Sequence, residues 1–168
     1  MKEHDIVAPS AWVVRWAPRV ARGTVLDVAS GGGRHSRVFL AKGLKVVAVD
    51  REPQDIAGAR FIQADIENGP WPLAGETFEG VVVTNYLHRP LFETLKGSLK
   101  EGGVLIYETF MAGNERFGRP SNPAFLLRPG ELLEAFAGLQ VLGFEEGDVT
   151  SPKPATIQRL CAVRGRTV

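Results

Sequence analysis

The chain has 168 residues, 44% of them hydrophobic and 23% charged, which suffices for one compact domain and not for two ordinary ones. Twenty Lys and Arg stand against 19 Asp and Glu, a balance that does not mark a protein built to hold a polyanion or a charged membrane. One cysteine, Cys161, excludes an internal disulfide framework, and no apolar run approaches the roughly 18 residues of a membrane span. The start, MKEHDIVAPS, lacks an apolar signal core, so a soluble cytoplasmic protein with a single domain over 1–168 is expected.

An N-terminal helical segment falls within residues 1–22: Ser10 caps a helix over 11–21, Trp12, Val13, Trp16 and Val20 supply its spacing, and Pro18 shortens or kinks it. Strand one is VLDV, a helix over 34–42 follows and stops at Gly43, and LKVVAVD is strand two. REPQDIAGA has room for one or two helical turns, FIQADI reads as strand three, and FEGVVVTNY is a buried fourth strand. A helix over 90–100 is stopped by Gly102 and Gly103, and VLIYETF is strand five. Residues 111–130 hold too many glycines and prolines for regular structure; such a loop is a lid over a site or a cover for a sheet edge. GELLEAFAG is a last helix, and LQVLGFEEGDV and ATIQRLCAVRG are strands joined by TSPKP. Seven strands with helices alternating through the first five predict an α/β fold: a mostly parallel sheet, helices on both faces, the last strand antiparallel.

VLDVASGGGRHS is the most telling stretch. An apolar strand carrying Asp27 runs through Ala29 and Ser30 into Gly31, Gly32 and Gly33, which strip away every Cβ before a helix begins, so backbone passes close to a ligand. The amino end of that helix suits a carboxylate or a phosphate equally. Strand two ends on Asp50, which parallel pairing sets beside the glycine turn, where sugar hydroxyls are natural partners. Asp65 follows in strand three, and a carboxylate suits an exocyclic amine. Each acid has a plainer role as a turn or cap residue, and for Asp27 the two roles weigh evenly. A dinucleotide turn would need glycine where Ser36 stands, and no Gly-Lys-Ser/Thr ending exists for a nucleoside triphosphate loop.

At these residues the chain resembles the class I S-adenosylmethionine-dependent methyltransferases. Their pattern of an acid followed by three glycines at alternate positions is filled by Asp27, Ala29, Gly31 and Gly33, with alanine in place of the first glycine. That departure is tolerable only if φ at Ala29 is negative. The resemblance spans nearly the whole chain and implies a Rossmann-like fold, S-adenosylmethionine as cofactor and S-adenosylhomocysteine as product. It further implies that Asp27, Ala29, Ser30, Gly31, Gly33 and Asn85 line the cofactor, that Asp50 accepts the ribose hydroxyls with Arg51 beside the nucleoside, and that Asp65 and the Ile66 backbone meet the adenine.

By the same resemblance the end of strand four, TNYLHRP, borders the sulfonium and the acceptor, which makes Asn85, Tyr86 and His88 the catalytic candidates. An imidazole changes charge near neutral pH, so His88 can take a proton from an acceptor or simply hold its loop. Tyr107 is a substrate contact or a core aromatic with its hydroxyl at the rim. Glu108, Arg116 and Arg119 are further substrate candidates, and Glu108 needs a partner, either substrate or one of Arg116, Arg119 and Arg128. Trp12 and Trp16 are core at this spacing, or complete the pocket. The Pro-Pro pair of the family's nucleic-acid amino-methyltransferases is absent after Asn85, which together with the charge balance favours a small-molecule acceptor. RNA or protein methylation, with the loop arginines as grip, and a non-catalytic nucleoside-binding subunit are the alternatives. The compact GGGRHS turn points to the tellurite-resistance branch. His4, His35, His88 and Cys161 lack ligand spacing, so no metal is expected.

Overall fold

The structure is a computed structural model describing residues 8–165, so His4 lies outside the described residues. Ser10 caps α1 (Ala11–Trp16), its Oγ accepting the Trp12 and Val13 N–H at 3.1 and 3.4 Å. The helix is shorter than the spacing predicts: Pro18 has no N–H to give, and the chain tightens into a 3-10 turn over Ala17–Arg19. There follow β1 (Thr24–Val28), α2 (Ser36–Leu40), β2 (Lys45–Asp50), β3 (Arg60–Gln63) and β4 (Phe78–Thr84). Next come α3 (Phe92–Gly97), β5 (Leu99–Phe110), α4 (Glu131–Ala135), β6 (Gln140–Val149) and β7 (Ala155–Val163). Among the described residues no helix is long and apolar enough to cross a membrane.

The seven strands lie in the order β3-β2-β1-β4-β5-β7-β6. β1 pairs in parallel with both β2 and β4, so strand order reverses there, and β7 runs antiparallel to β5 and β6. This is the sheet the alternation predicts. Central strands are buried on both faces, as parallel sheets are. One apolar layer, including Leu26, Val83, Tyr107 and Leu132, packs below the sheet, and another, including Trp12, Val25, Phe39 and Ile106, packs above.

Three expectations fail for stated reasons. Residues 51–59 form no helix; Ile56 is buried there as a single apolar anchor, its side chain so close to Gly33 that a Cβ on that glycine would lie 2.8 Å away. β3 ends at Gln63, two residues before Asp65, because the carboxylate of Asp65 closes a turn in place of continuing the ladder. Gly102 and Gly103 do not end a helix. They lie inside β5, where the ladder to β4 slips between Phe78 and Gly80 and Gly103 passes so near Phe78 that a Cβ would sit 2.9 Å from its carbonyl.

Candidate active site

The carboxyl ends of β1, β2 and β4 meet at the reversal of strand order, where open α/β sheets bind ligands. β1 leaves the sheet through Ala29 at φ 54°, contrary to the negative angle expected for a non-glycine residue. Left-handed backbone at an alanine costs about 1–2 kcal/mol, which the turn must absorb. Ser30 then donates its N–H to the Val49 carbonyl at 3.0 Å and Gly31 donates its own to Asp50 Oδ2 at 2.8 Å. The other oxygen of Asp50 accepts the Glu52 N–H at 2.9 Å. A Cβ built on Gly31 or Gly32 meets no atom within 4 Å, so the turn presents bare backbone to open space beside the Asp50 carboxylate.

Asp27 does not face that space. It is 1% exposed and accepts the Ser36 hydroxyl at 2.6 Å, tying β1 to the start of α2. Burial pushes its carboxyl up to about 6, against the pull of the Ser36 hydrogen bonds. Of its two readings, turn organisation is the one the geometry favours, and Ser36, which breaks the dinucleotide pattern, is its partner. His35, on the same turn, belongs to the site although its sequence context carried no signal of this. Its Nε2 accepts the Ser10 N–H at 3.0 Å, so Nδ1 carries the hydrogen and donates to Thr84 Oγ1 at 3.1 Å. Burial lowers this histidine to about 4, with Arg34 adding to the shift, so a neutral ring joins the N-terminal segment, the glycine turn and the end of β4.

Arg51 is exposed and pairs with Glu52 at 3.6 Å, at the rim beside Asp50. Asp65 is exposed: its Oδ1 accepts the N–H groups of Glu67 and Asn68 at 3.0 and 3.1 Å and its Oδ2 the Asn68 amide at 3.2 Å. Those bonds hold its carboxyl below the usual carboxylate range. Ile66 packs partly buried against the lower core.

The fourth strand ends in a second left-handed residue, Asn85 at φ 53°, a conformation asparagine tolerates better than alanine does. Its N–H is held by the Glu108 carbonyl at 2.9 Å. Tyr86 donates its hydroxyl to Glu67 Oε2 at 2.8 Å, and His88 Nδ1 faces Glu67 Oε1 at 3.5 Å. Burial and the neighbouring Glu67 raise the Tyr86 phenol above its ordinary range. Glu67 is a residue that sequence reasoning missed. The available signal was an acid two positions beyond Asp65 in QADIE.

The four candidates for substrate contact, Tyr107, Glu108, Arg116 and Arg119, have these partners and positions. Tyr107 is 1% exposed and donates its hydroxyl to the Tyr86 carbonyl at 2.9 Å, supporting the end of β4 from below. Glu108 is paired across the sheet with Arg159 of β7, which also reaches Glu145, and with none of the loop arginines. Arg116 binds Asp148 at 2.6 Å and Thr156 at 3.2 Å, over the β6–β7 hairpin. Arg119 lies exposed near Lys153 of that hairpin. Trp12 is core, its indole N–H on the Leu160 carbonyl at 3.1 Å.

The loop over 111–130 is tied at both halves. Asn114 is buried and exchanges hydrogen bonds with the Thr156 N–H and the Pro120 carbonyl. Arg89, just after His88, grips the buried Glu131 carboxylate with two nitrogens at 2.7 and 2.9 Å and bonds the carbonyls of Ala124 and Leu126. Arg128 adds ion pairs to Glu131 and Glu134. Among the described residues no cluster of three or more His, Cys, Asp or Glu side chains could hold a metal ion.

A family model described as "Methyltransferase domain" matches residues 26–107, from β1 into β5. Among curated proteins, 37 residues are 51% identical to the ribosomal RNA small subunit methyltransferase H of Gemmatimonas aurantiaca, a stretch covering 22% of this chain and 12% of that protein. TehB from Haemophilus influenzae superposes with a TM-score of 0.78 at 17% identity, over 96% of this chain and 64% of that one. The 1,6-didemethyltoxoflavin-N1-methyltransferase of Burkholderia thailandensis, with bound 1,6-didemethyltoxoflavin and S-adenosylhomocysteine, gives 0.67 at 19% identity, over 92% and 77% of the two chains. The N-methyltransferase NodS from Bradyrhizobium japonicum gives 0.69 at 12% identity, over 92% and 93%. At these identities the likeness is one of fold, and the chain spans under two thirds of TehB.

Proposed function

We propose that this chain, a class I S-adenosylmethionine-dependent methyltransferase by its matched domain and its fold, transfers the methyl group of that cofactor to a small-molecule acceptor. The observation that carries the reading is the bare Gly31-Gly32 backbone facing open space beside the Asp50 carboxylate, at the reversal of strand order. Bound there, the cofactor supplies a methyl group activated by its sulfonium charge. Asp50 would accept the ribose hydroxyls, Asp65 and the Ile66 backbone would meet the adenine with Arg51 beside it, and the turn over Ser30, Gly31 and Gly33 would hold the methionine end. Asn85, Tyr86 and His88 would line the acceptor side, where alignment of acceptor and methyl supplies much of the rate.

The bound 1,6-didemethyltoxoflavin of the Burkholderia enzyme supports a small acceptor, as do the loop arginines Arg116 and Arg128, already committed to internal carboxylates. RNA methylation has the 37-residue likeness in its favour, and salt-dependent RNA binding would support it. Calorimetry of S-adenosylmethionine and S-adenosylhomocysteine against the wild type and Asp50→Ala, with NAD as competitor, tests the cofactor assignment. Losing charge-assisted hydrogen bonds to the ribose should weaken binding about 10- to 100-fold. Wild-type protein that binds NAD and neither adenosyl ligand would overturn the proposal.

A further inference from the structure

We infer that Glu67 is a positioning residue that holds His88 with a bare Nε2 toward the acceptor, which makes the acceptor one that carries a proton on its nucleophilic atom: a hydroxyl, thiol or N–H compound. The inference rests on the methyltransferase reading and adds to it the acceptor class and the route of the proton.

Glu67 is aimed by its own turn. The Asp65 carboxylate accepts the Glu67 and Asn68 N–H groups, the Asp65 carbonyl accepts the Gly69 N–H at 2.9 Å, and a Cβ on Gly69 would lie 2.8 Å from that carbonyl. The five-residue turn from Asp65 to Gly69 is therefore held by its own hydrogen bonds, and it sends the Glu67 side chain across to the end of β4. There its two oxygens are divided, Oε2 to the Tyr86 hydroxyl at 2.8 Å and Oε1 toward His88 Nδ1 at 3.5 Å.

The receiving residues are fixed from the other side. Tyr107 holds the Tyr86 carbonyl, and Arg89, the neighbour of His88, is clamped to Glu131. A carboxylate facing Nδ1 favours the imidazole with its hydrogen on that nitrogen, which leaves the Nε2 lone pair outward. Nε2 has no partner among the described residues, and the His88 side chain is 25% exposed. Tyr86, by contrast, has already given its hydrogen to Glu67 and is a wall, not an acid.

The step balances without a co-reactant. A lone pair on the acceptor atom forms the bond to the methyl carbon while the carbon–sulfur bond breaks, its electron pair going to sulfur and cancelling the sulfonium charge. The acceptor's proton passes to His88 Nε2, and the Glu67 carboxylate stabilises the imidazolium through Nδ1–H before the proton leaves to water.

Nitrogen-15 NMR of the histidine side chains, with S-adenosylhomocysteine present and His88→Gln to assign the signals, reads the tautomer directly. The wild type should show neutral His88 protonated on Nδ1. Glu67→Ala should lower the ratio of Nδ1–H to Nε2–H forms by about fivefold, the effect of losing one N–H contact to a carboxylate worth roughly 1 kcal/mol. Glu67→Gln, whose amide oxygen can still accept, should fall between the two. A wild-type His88 protonated mainly on Nε2, or a ratio unmoved in Glu67→Ala, overturns the role of Glu67 while leaving cofactor binding intact. Failure of the wild type to bind S-adenosylhomocysteine by calorimetry overturns the methyltransferase reading, and this inference with it.

Discussion

Under the proposed function, the cofactor side formed by residues 24–50 and the acceptor side formed by residues 67–89 with the loop over 111–130 are held together in different ways. On the cofactor side the bonds that shape the glycine turn are short in sequence, Asp27 meeting Ser36 nine positions on and Gly31 meeting Asp50 nineteen positions on across adjacent parallel strands, and the His35 bond to Thr84 over 49 positions is the long tie. On the acceptor side the ties that hold the loop over 111–130 are remote, Arg89 meeting Glu131 over 42 positions and Asn114 meeting Thr156 over 42, while Tyr86 meets Glu67 over 19. A turn whose conformation is written in its own glycines can stand with little help from elsewhere. A wall built from ion pairs stands only when the whole sheet has assembled.

The acceptor side can therefore be loosened while the cofactor side stays. Arg89→Ala leaves the Glu131 carboxylate buried without its main partner, and should cost about 3 kcal/mol in chemical denaturation. Hydrogen exchange should accelerate over 111–131 and stay slow over 25–36. Equal acceleration in both stretches would mean that the two sides unfold as one unit.

The pH response separates local groups from each other. Asp27, raised to about 6, binds its proton more tightly in the folded protein, so its contribution is full below about 4 and is lost as pH rises through 6. His35, lowered to about 4, has the opposite sign: its contribution is full above about 6.5 and is lost as pH falls toward 4. The two slopes oppose each other between pH 4 and 6. Asp27→Asn removes one of them, and its stability should fall on acidification more steeply than the wild type's by up to about 2–3 kcal/mol over that window. Parallel curves for the two proteins would show that Asp27 does not carry this proton.

The smallest effect concerns the single residue that departs from the glycine pattern. Ala29→Gly releases left-handed strain of about 1–2 kcal/mol and adds unfolded-chain entropy of somewhat less, for a net gain of about 0.5 kcal/mol in thermal unfolding. A loss instead of a gain would show that the alanine methyl contributes packing that outweighs its backbone strain.

Much of this molecule was legible in the order of its residues. Strand and helix alternation fixed the sheet and the antiparallel final strand, and an acid at the end of β2 was bound to face the turn after β1 once the two paired in parallel register. Ser10 and Pro18 set the limits of the first helix by chemistry that acts within one turn. Partners were not legible. Glu108 was expected to meet a substrate or an arginine of the following loop and pairs with Arg159, because antiparallel register sets those two residues opposite each other from distant parts of the chain. Glu67, His35 and Arg89 owe their places at the site to contacts with other segments, and beyond the acid of QADIE for Glu67 nothing within a few residues of each announces them. Backbone periodicity and turn chemistry are local and travel with the sequence; the pairing of a buried charge or a ring nitrogen depends on which strand lies alongside, and that is decided only when the sheet closes.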